Sequence, residues 1–102
     1  MNRMKNNEVI ARWALGIKGA NHNGSLRTDG DSLWSYDLLI GARTRAEAEA
    51  STGIQLAVAD YTTTGGRFES NTTSTHVNAA KRSADLVVEP ERFDQFVIDF
   101  TV

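Results

Sequence analysis

Apolar residues recur at helical spacing near the start of the chain and then give way to strict alternation. Val9, Trp13 and Ile17 stand at i, i+4 and i+8 and form one stripe, with Asn7 suited to cap the helix and Glu8 in its first turn. Gly16 and Gly19 weaken the end of that stripe, so the helix is expected to stop there. Asn21-His22-Asn23-Gly24 follows as a turn, and Ser25 to Thr28 reads as a short strand. Asp29-Gly30 is a hairpin signal leading into Ser32 to Ile40. Read as one strand, that stretch places Trp34, Tyr36 and Leu38 on one face and Leu33, Ser35 and Asp37 on the other.

Beyond it, Thr44-Arg45-Ala46-Glu47 matches a capping box, and an alanine- and glutamate-rich turn or two, or a solvated loop, runs to Gly53. Ile54 to Tyr61 alternates as a strand, Thr62 to Gly66 turns the chain, and Arg67 to Ser70 reads as a short return strand. The hydroxyls Thr72, Thr73 and Ser74 suit a helix start, with Val77, Ala80 and Ala84 on one face of the helix that follows. Asp85 to Val88 is extended. Pro90 can open a last helix carrying Phe93, Phe96, Val97 and Phe100, which passes into a β-prone end. The pattern predicts one α+β domain over residues 1–102, a mainly antiparallel sheet of three to five strands packed by one or two short helices.

Composition narrows the chemistry more than it names it. The chain has 102 residues, no cysteine and two well-separated histidines, so disulfides and cysteine-based zinc sites are excluded. The apolar runs Leu38-Leu39-Ile40 and Leu86-Val87-Val88 are too short to span a bilayer, and no apolar leader follows Met1. The expected location is the cytoplasm, with no membrane partner. The net charge of −2 argues against a strongly basic nucleic-acid binder, yet the charge is uneven. Cations predominate up to Arg45, and acids predominate from Asp85 onward.

Two stretches carry a resemblance. Gly30-Asp31-Ser32-Leu33-Trp34-Ser35-Tyr36, followed by Ile40-Gly41, is similar to a "G…LYSY…IA" hairpin. Ser70 to His76 is similar to an "S-x-TT-S-x-H" helix start. Together they resemble a family of short, uncharacterised proteins encoded largely by bacteriophages and prophages, over about residues 20–84. Trp34 departs from the family's usual tyrosine, and Thr44 to Gly53 reads as an insertion. The N-terminal helix and acidic tail lie outside the resemblance, which implies a phage context and a compact β-rich fold and transfers no catalytic role.

Candidate chemistry is sparse. His76 among Ser70, Thr72, Thr73 and Ser74 suggests acyl-transfer catalysis, but Ser74 and His76 do not face each other on a helix. The alternative is that the hydroxyls cap the helix and His76 bonds to a strand end. Asp29, Asp31 and Asp37 lack cation-loop spacing, and Gly65-Gly66 lacks the lysine and hydroxyl of a phosphate loop. No catalytic residue, metal ligand or cofactor is expected. Binding residues are sought among Trp34 and Tyr36 with Arg27, Arg43, Arg67, Lys81 and Arg82 around them, and His76. The expectation is a non-enzymatic, phage-type accessory protein binding a macromolecular partner, with a host protein of defence or transcription leading. Alternatives are a nucleic-acid module built on those aromatics and cations, or a structural subunit of a virion or other assembly.

Overall fold

The computed structural model describes residues 4–62 and 68–101. It contains helix α1 (Asn6–Ala14), strands β1 (Gly19–Ala20), β2 (Leu26–Thr28), β3 (Ser32–Ser35) and β4 (Leu38–Arg43), and helix α2 (Ala46–Thr52). Strand β5 (Leu56–Ala59), helix α3 (Asn71–Lys81), strand β6 (Leu86–Val88) and helix α4 (Pro90–Phe100) complete it. The strands form one sheet in chain order, β1-β2-β3-β4-β5-β6. Every neighbour is antiparallel except β5 and β6, which are parallel with α3 in the connection between them.

The α+β class is as expected, but the counts are corrected: among the described residues six strands stand where three to five were expected, and four helices where one or two were. β1 is two residues long and carries no alternation to read. The stretch read as one strand from Ser32 to Ile40 is two. Tyr36 and Asp37 form the two-residue turn between paired Ser35 and Leu38, and Tyr36 takes a φ of 55°. Tight hairpins require such positive φ, usually from glycine or asparagine, so a tyrosine hides the turn. Trp34, Tyr36 and Leu38 therefore share no strand face.

Other local readings change for equally specific reasons. The Thr44 hydroxyl donates to the Ile54 carbonyl at 2.6 Å, so it joins β4 to the start of β5 and does not cap α2. The N-cap is Arg45, without a side-chain cap bond, while Gly53 ends α2 at φ 75° as expected. Ser70, one residue before the helix, accepts from the Thr73 amide and caps α3 in place of Thr72, Thr73 or Ser74. The return strand expected at Arg67 to Ser70 falls partly outside the described residues, and Phe68 to Ser70 is not strand. α4 runs to Phe100 without the β-strand expected at its end.

The main core lies between one sheet face and helices α1 and α3. Val9, Ile10 and Trp13 of α1 and Val77 and Ala80 of α3 meet Leu26, Leu33, Leu56 and Val58. Trp13 packs so close to the sheet that a Cβ at Gly41 would stand 2.8 Å from its ring. Ile17, expected on the same stripe, is 47% exposed because Gly16 at φ 76° turns the chain away first. β5 is buried throughout, since α3 and α4 both pack on it. α1 contacts β1, β2 and β3, whereas β5 is α4's main contact in the sheet.

Candidate functional site

The turn of α3 that carries Thr73 and His76 faces inward onto the end of β3. The Ser35 hydroxyl lies 2.7 Å from His76 Nδ1 and 2.9 Å from the Thr73 hydroxyl. This is the strand-end hydrogen bond that the second reading of His76 expects. Its partner was missed as a candidate, although Ser35 sat on the same predicted strand face as apolar Leu33. Burial of the imidazole lowers the His76 pKa, so the neutral ring is the resident form.

A hydroxyl beside an imidazole is the beginning of a nucleophilic pair, but the surroundings do not continue it. The third group here is a hydroxyl, not the carboxylate that would steady an imidazolium. Ser35 is fully buried and His76 is 1% exposed, so a substrate has no approach to either. The cluster ties α3 to β3, and the half-exposed Tyr36 ring stands 6.4 Å from the imidazole at its outer edge.

Across β3 the arrangement is different. Side chains alternate along a strand, so Leu33 and Ser35 face α1 and α3 while Trp34 faces the opposite side. Arg27 on β2 is paired with Trp34, and its guanidinium lies 4.5 Å from the ring centroid. That cation–π contact holds a planar charge over an aromatic face. Arg27 also approaches Asp37 at 3.9 Å on the surface, a pair of little energetic weight.

Among the described residues, the ring of cations expected around the aromatics is not assembled. Arg43 turns to the other face, where its guanidinium donates to the Trp13 carbonyl and to the Gly30 carbonyl. Lys81 is held by Asp60 at 2.8 Å, with both side chains largely sheltered. Arg82 is exposed just past the end of α3, and Arg67 lies outside the described residues. Of the candidate cations among the described residues, Arg27 is the one the fold sets on Trp34. The charges on Arg43 and Lys81 went instead to a helix-end carbonyl and a sheltered carboxylate, which a linear pattern does not distinguish from surface.

Elsewhere, a polar hollow of about 500 Å³ lies between the β3–β4 end and the end of α4, lined by Asp29, Ser32, Thr44, Arg45, Val97 and Thr101. Among the described residues, no group of three acidic or histidine side chains is placed to hold a metal ion. No helix of the described residues is long and apolar enough to cross a membrane. Comparison with protein-family models, with curated proteins and with solved structures finds no match to this chain.

Proposed function

We propose that this chain is a non-enzymatic binding protein that docks a macromolecular partner on the open half of its sheet, around Trp34. The observation that carries this reading is the Trp34–Arg27 pair on the face away from α1 and α3. Tryptophan and arginine are the residues most enriched among interface hot spots, and a stacked guanidinium reaches its binding geometry with little further ordering. Tyr36, exposed at the adjoining turn, lies toward His76 on the α3 side of the sheet and is not part of this face.

A protein partner is preferred to a nucleic acid. A single-strand groove needs several free cations along its aromatics, and Arg43 and Lys81 are engaged elsewhere. The burial of His76 and Ser35 supports a role without catalysis. The resemblance to phage-type proteins implies a phage context, in which a host protein is the leading partner class.

The test is retention from a bacterial lysate by tagged protein and by Trp34→Ala, each with and without nuclease. A protein retained after nuclease treatment by the parent chain, and lost with Trp34→Ala, is the expected result. Retention that vanishes with nuclease would transfer the face to nucleic acid. Retention indifferent to Trp34→Ala would remove the face from the function altogether.

A further inference from the structure

The sheet ends on β1 and β6, and among the described residues no further strand meets either outer edge. Such edges present unpaired N–H and C=O groups that template pairing with another chain. What lies beside the two edges differs in sign.

Against β1, Arg12, Lys18 and Arg27 rim a shallow hollow of about 450 Å³ floored by Gly19, Ala20 and Thr28. The floor depends on Gly19: a Cβ there would stand 2.7 Å from Arg12 Cδ, so the bare backbone lets the arginine lie across the edge. Arg12 then donates to the Lys18 carbonyl at 3.3 Å, which fixes the cation at the rim. Against β6, Glu91, Arg92, Gln95 and Asp99 rim a hollow of about 400 Å³ floored by Val88, Phe96 and Phe100. Arg92, the one cation in α4, approaches Glu89 at 3.9 Å, which offsets its charge on this rim.

Exposed apolar side chains also stand on the elements that border these edges. Leu15 is 74% and Ile17 47% exposed in the turn that enters β1. Val87 is 41% exposed on β6 and Ile98 66% exposed on α4. Each end thus carries an open strand edge and an apolar hollow, rimmed by cations at one end and mainly by acids at the other.

We propose that these ends are the two halves of one interface, and that copies of this chain associate head to tail, the cationic β1 edge of one seated against the acidic β6–α4 edge of the next. A two-fold contact would set β1 against β1 and bring Arg12 and Lys18 onto their own copies, or set acids against acids. Charge complementarity therefore selects the heterologous contact, which grows as a chain or closes as a ring. The interface does not depend on the Trp34 face. Arg27 borders both, so the test leaves it unchanged.

Sedimentation velocity on the full chain, over a range of concentrations and salt, reads the association. The average mass should exceed the monomer's at low salt, rise with concentration and fall as salt screens the rims. Lys18→Glu and Glu91→Lys should each weaken the association about tenfold, the scale of a rim ion pair turned into a repulsion. Mixing the two variants should restore it, because the reversed β1 edge of one then meets the reversed α4 edge of the other. Circular dichroism checks that each variant folds, and Gln95→Lys places the same charge on the same rim should Glu91→Lys not. A monomer throughout at low salt would overturn the proposal. So would association that both reversals leave unchanged, or a mixture of folded variants that fails to recover.

Discussion

Replacing Gly41 by alanine tests the packing of α1 on the sheet. Gly41 lies in β4, paired with Leu33 and Val58, and its φ is not in the left-handed region, so its requirement is for space alone. An added Cβ would stand 2.8 and 3.0 Å from two carbons of the Trp13 ring and 3.1 Å from Leu33 Cβ. Neither neighbour yields easily. Trp13 is fully buried, its Nε1 donates to the Asp31 carbonyl at 2.9 Å, and its own carbonyl accepts from Arg43. Overpacking of this kind costs about 1–3 kcal/mol. The upper half of that range is expected, because ring and strand close on the methyl from two sides. In a chain of this size each kcal/mol lowers Tm by roughly 4–8 °C.

Gly24→Ala is the control: φ is 74° but nothing lies within 4 Å, so only the backbone cost of about 1 kcal/mol applies. Trp13→Phe alone should cost about 1–3 kcal/mol through the lost hydrogen bond and the vacated ring volume. Combined with Gly41→Ala, the methyl occupies part of that volume, and the double variant should be more stable than the sum predicts by about 1 kcal/mol. Urea unfolding of the four proteins reads the cycle. Strict additivity, or a Gly41→Ala no worse than Gly24→Ala, would refute the steric account.

Four further outcomes follow from the same geometry. Burial lowers the His76 pKa, so the unfolded chain takes up its proton first; stability is full above the ordinary value of 6.5 and declines as pH falls through the folded value. Urea midpoints against pH should show that slope, and His76→Gln should flatten it. At Asp60, burial raises the carboxyl's pKa, but the Lys81 ammonium at 2.8 Å and the Thr62 hydroxyl at 2.6 Å outweigh it and hold the group below 3.8. That contribution is present above 3.8 and is lost as pH falls through the folded value, and Lys81→Met should cost about 1–3 kcal/mol at neutral pH by urea unfolding. Ser70→Ala should cost about 1 kcal/mol as a lost cap on α3, and Ser70→Gly only a few tenths. Trp34 is partly buried but outside the core cluster, so Trp34→Ala should cost about 1–3 kcal/mol in thermal unfolding, and circular dichroism should show that the variant still folds for use in binding.

What could be read from the chain divides by whether the cause is local. The helix stops at Gly16 and Gly53, the hairpin at Asp29-Gly30 and the start of α4 at Pro90 are set by one or two residues, and each stands where the pattern places it. Tyr36 defeats the same logic, because its positive φ is imposed by the pairing of β3 with β4 and not by its own preference. The capping box at Thr44 fails for a related reason: the hydroxyl has a better acceptor in Ile54, ten residues on and across a strand connection. Burial of all four β5 residues follows from helices on both faces, which an alternating reading of Ile54 to Tyr61 has no means to anticipate. The candidate site divides in the same way. Arg27 and Trp34 meet through a register of neighbouring strands, whereas Ser35 reaches His76 from 41 residues away.

The position of the open sheet half follows from the order of the elements. Antiparallel neighbours close through short turns, and β1 to β4 do so without placing a helix on the face that carries Trp34. A parallel pair requires a crossover, and β5 to β6 supplies α3, which joins α1 on the other face. Helix α4, arriving after β6, takes β5 as its principal sheet contact. Trp34 thus occupies the part of the sheet furthest in connectivity from any helix that could cover it. A tryptophan there lies outside the buried core cluster, partly exposed, and carries an arginine over its ring. If its role were only structural, apolar residues of similar size should replace it without consequence for partner retention. Trp34→Leu, scored beside Trp34→Phe, separates the cases: an aromatic requirement leaves retention with phenylalanine and removes it with leucine, while equal retention by both would leave the ring without a binding role.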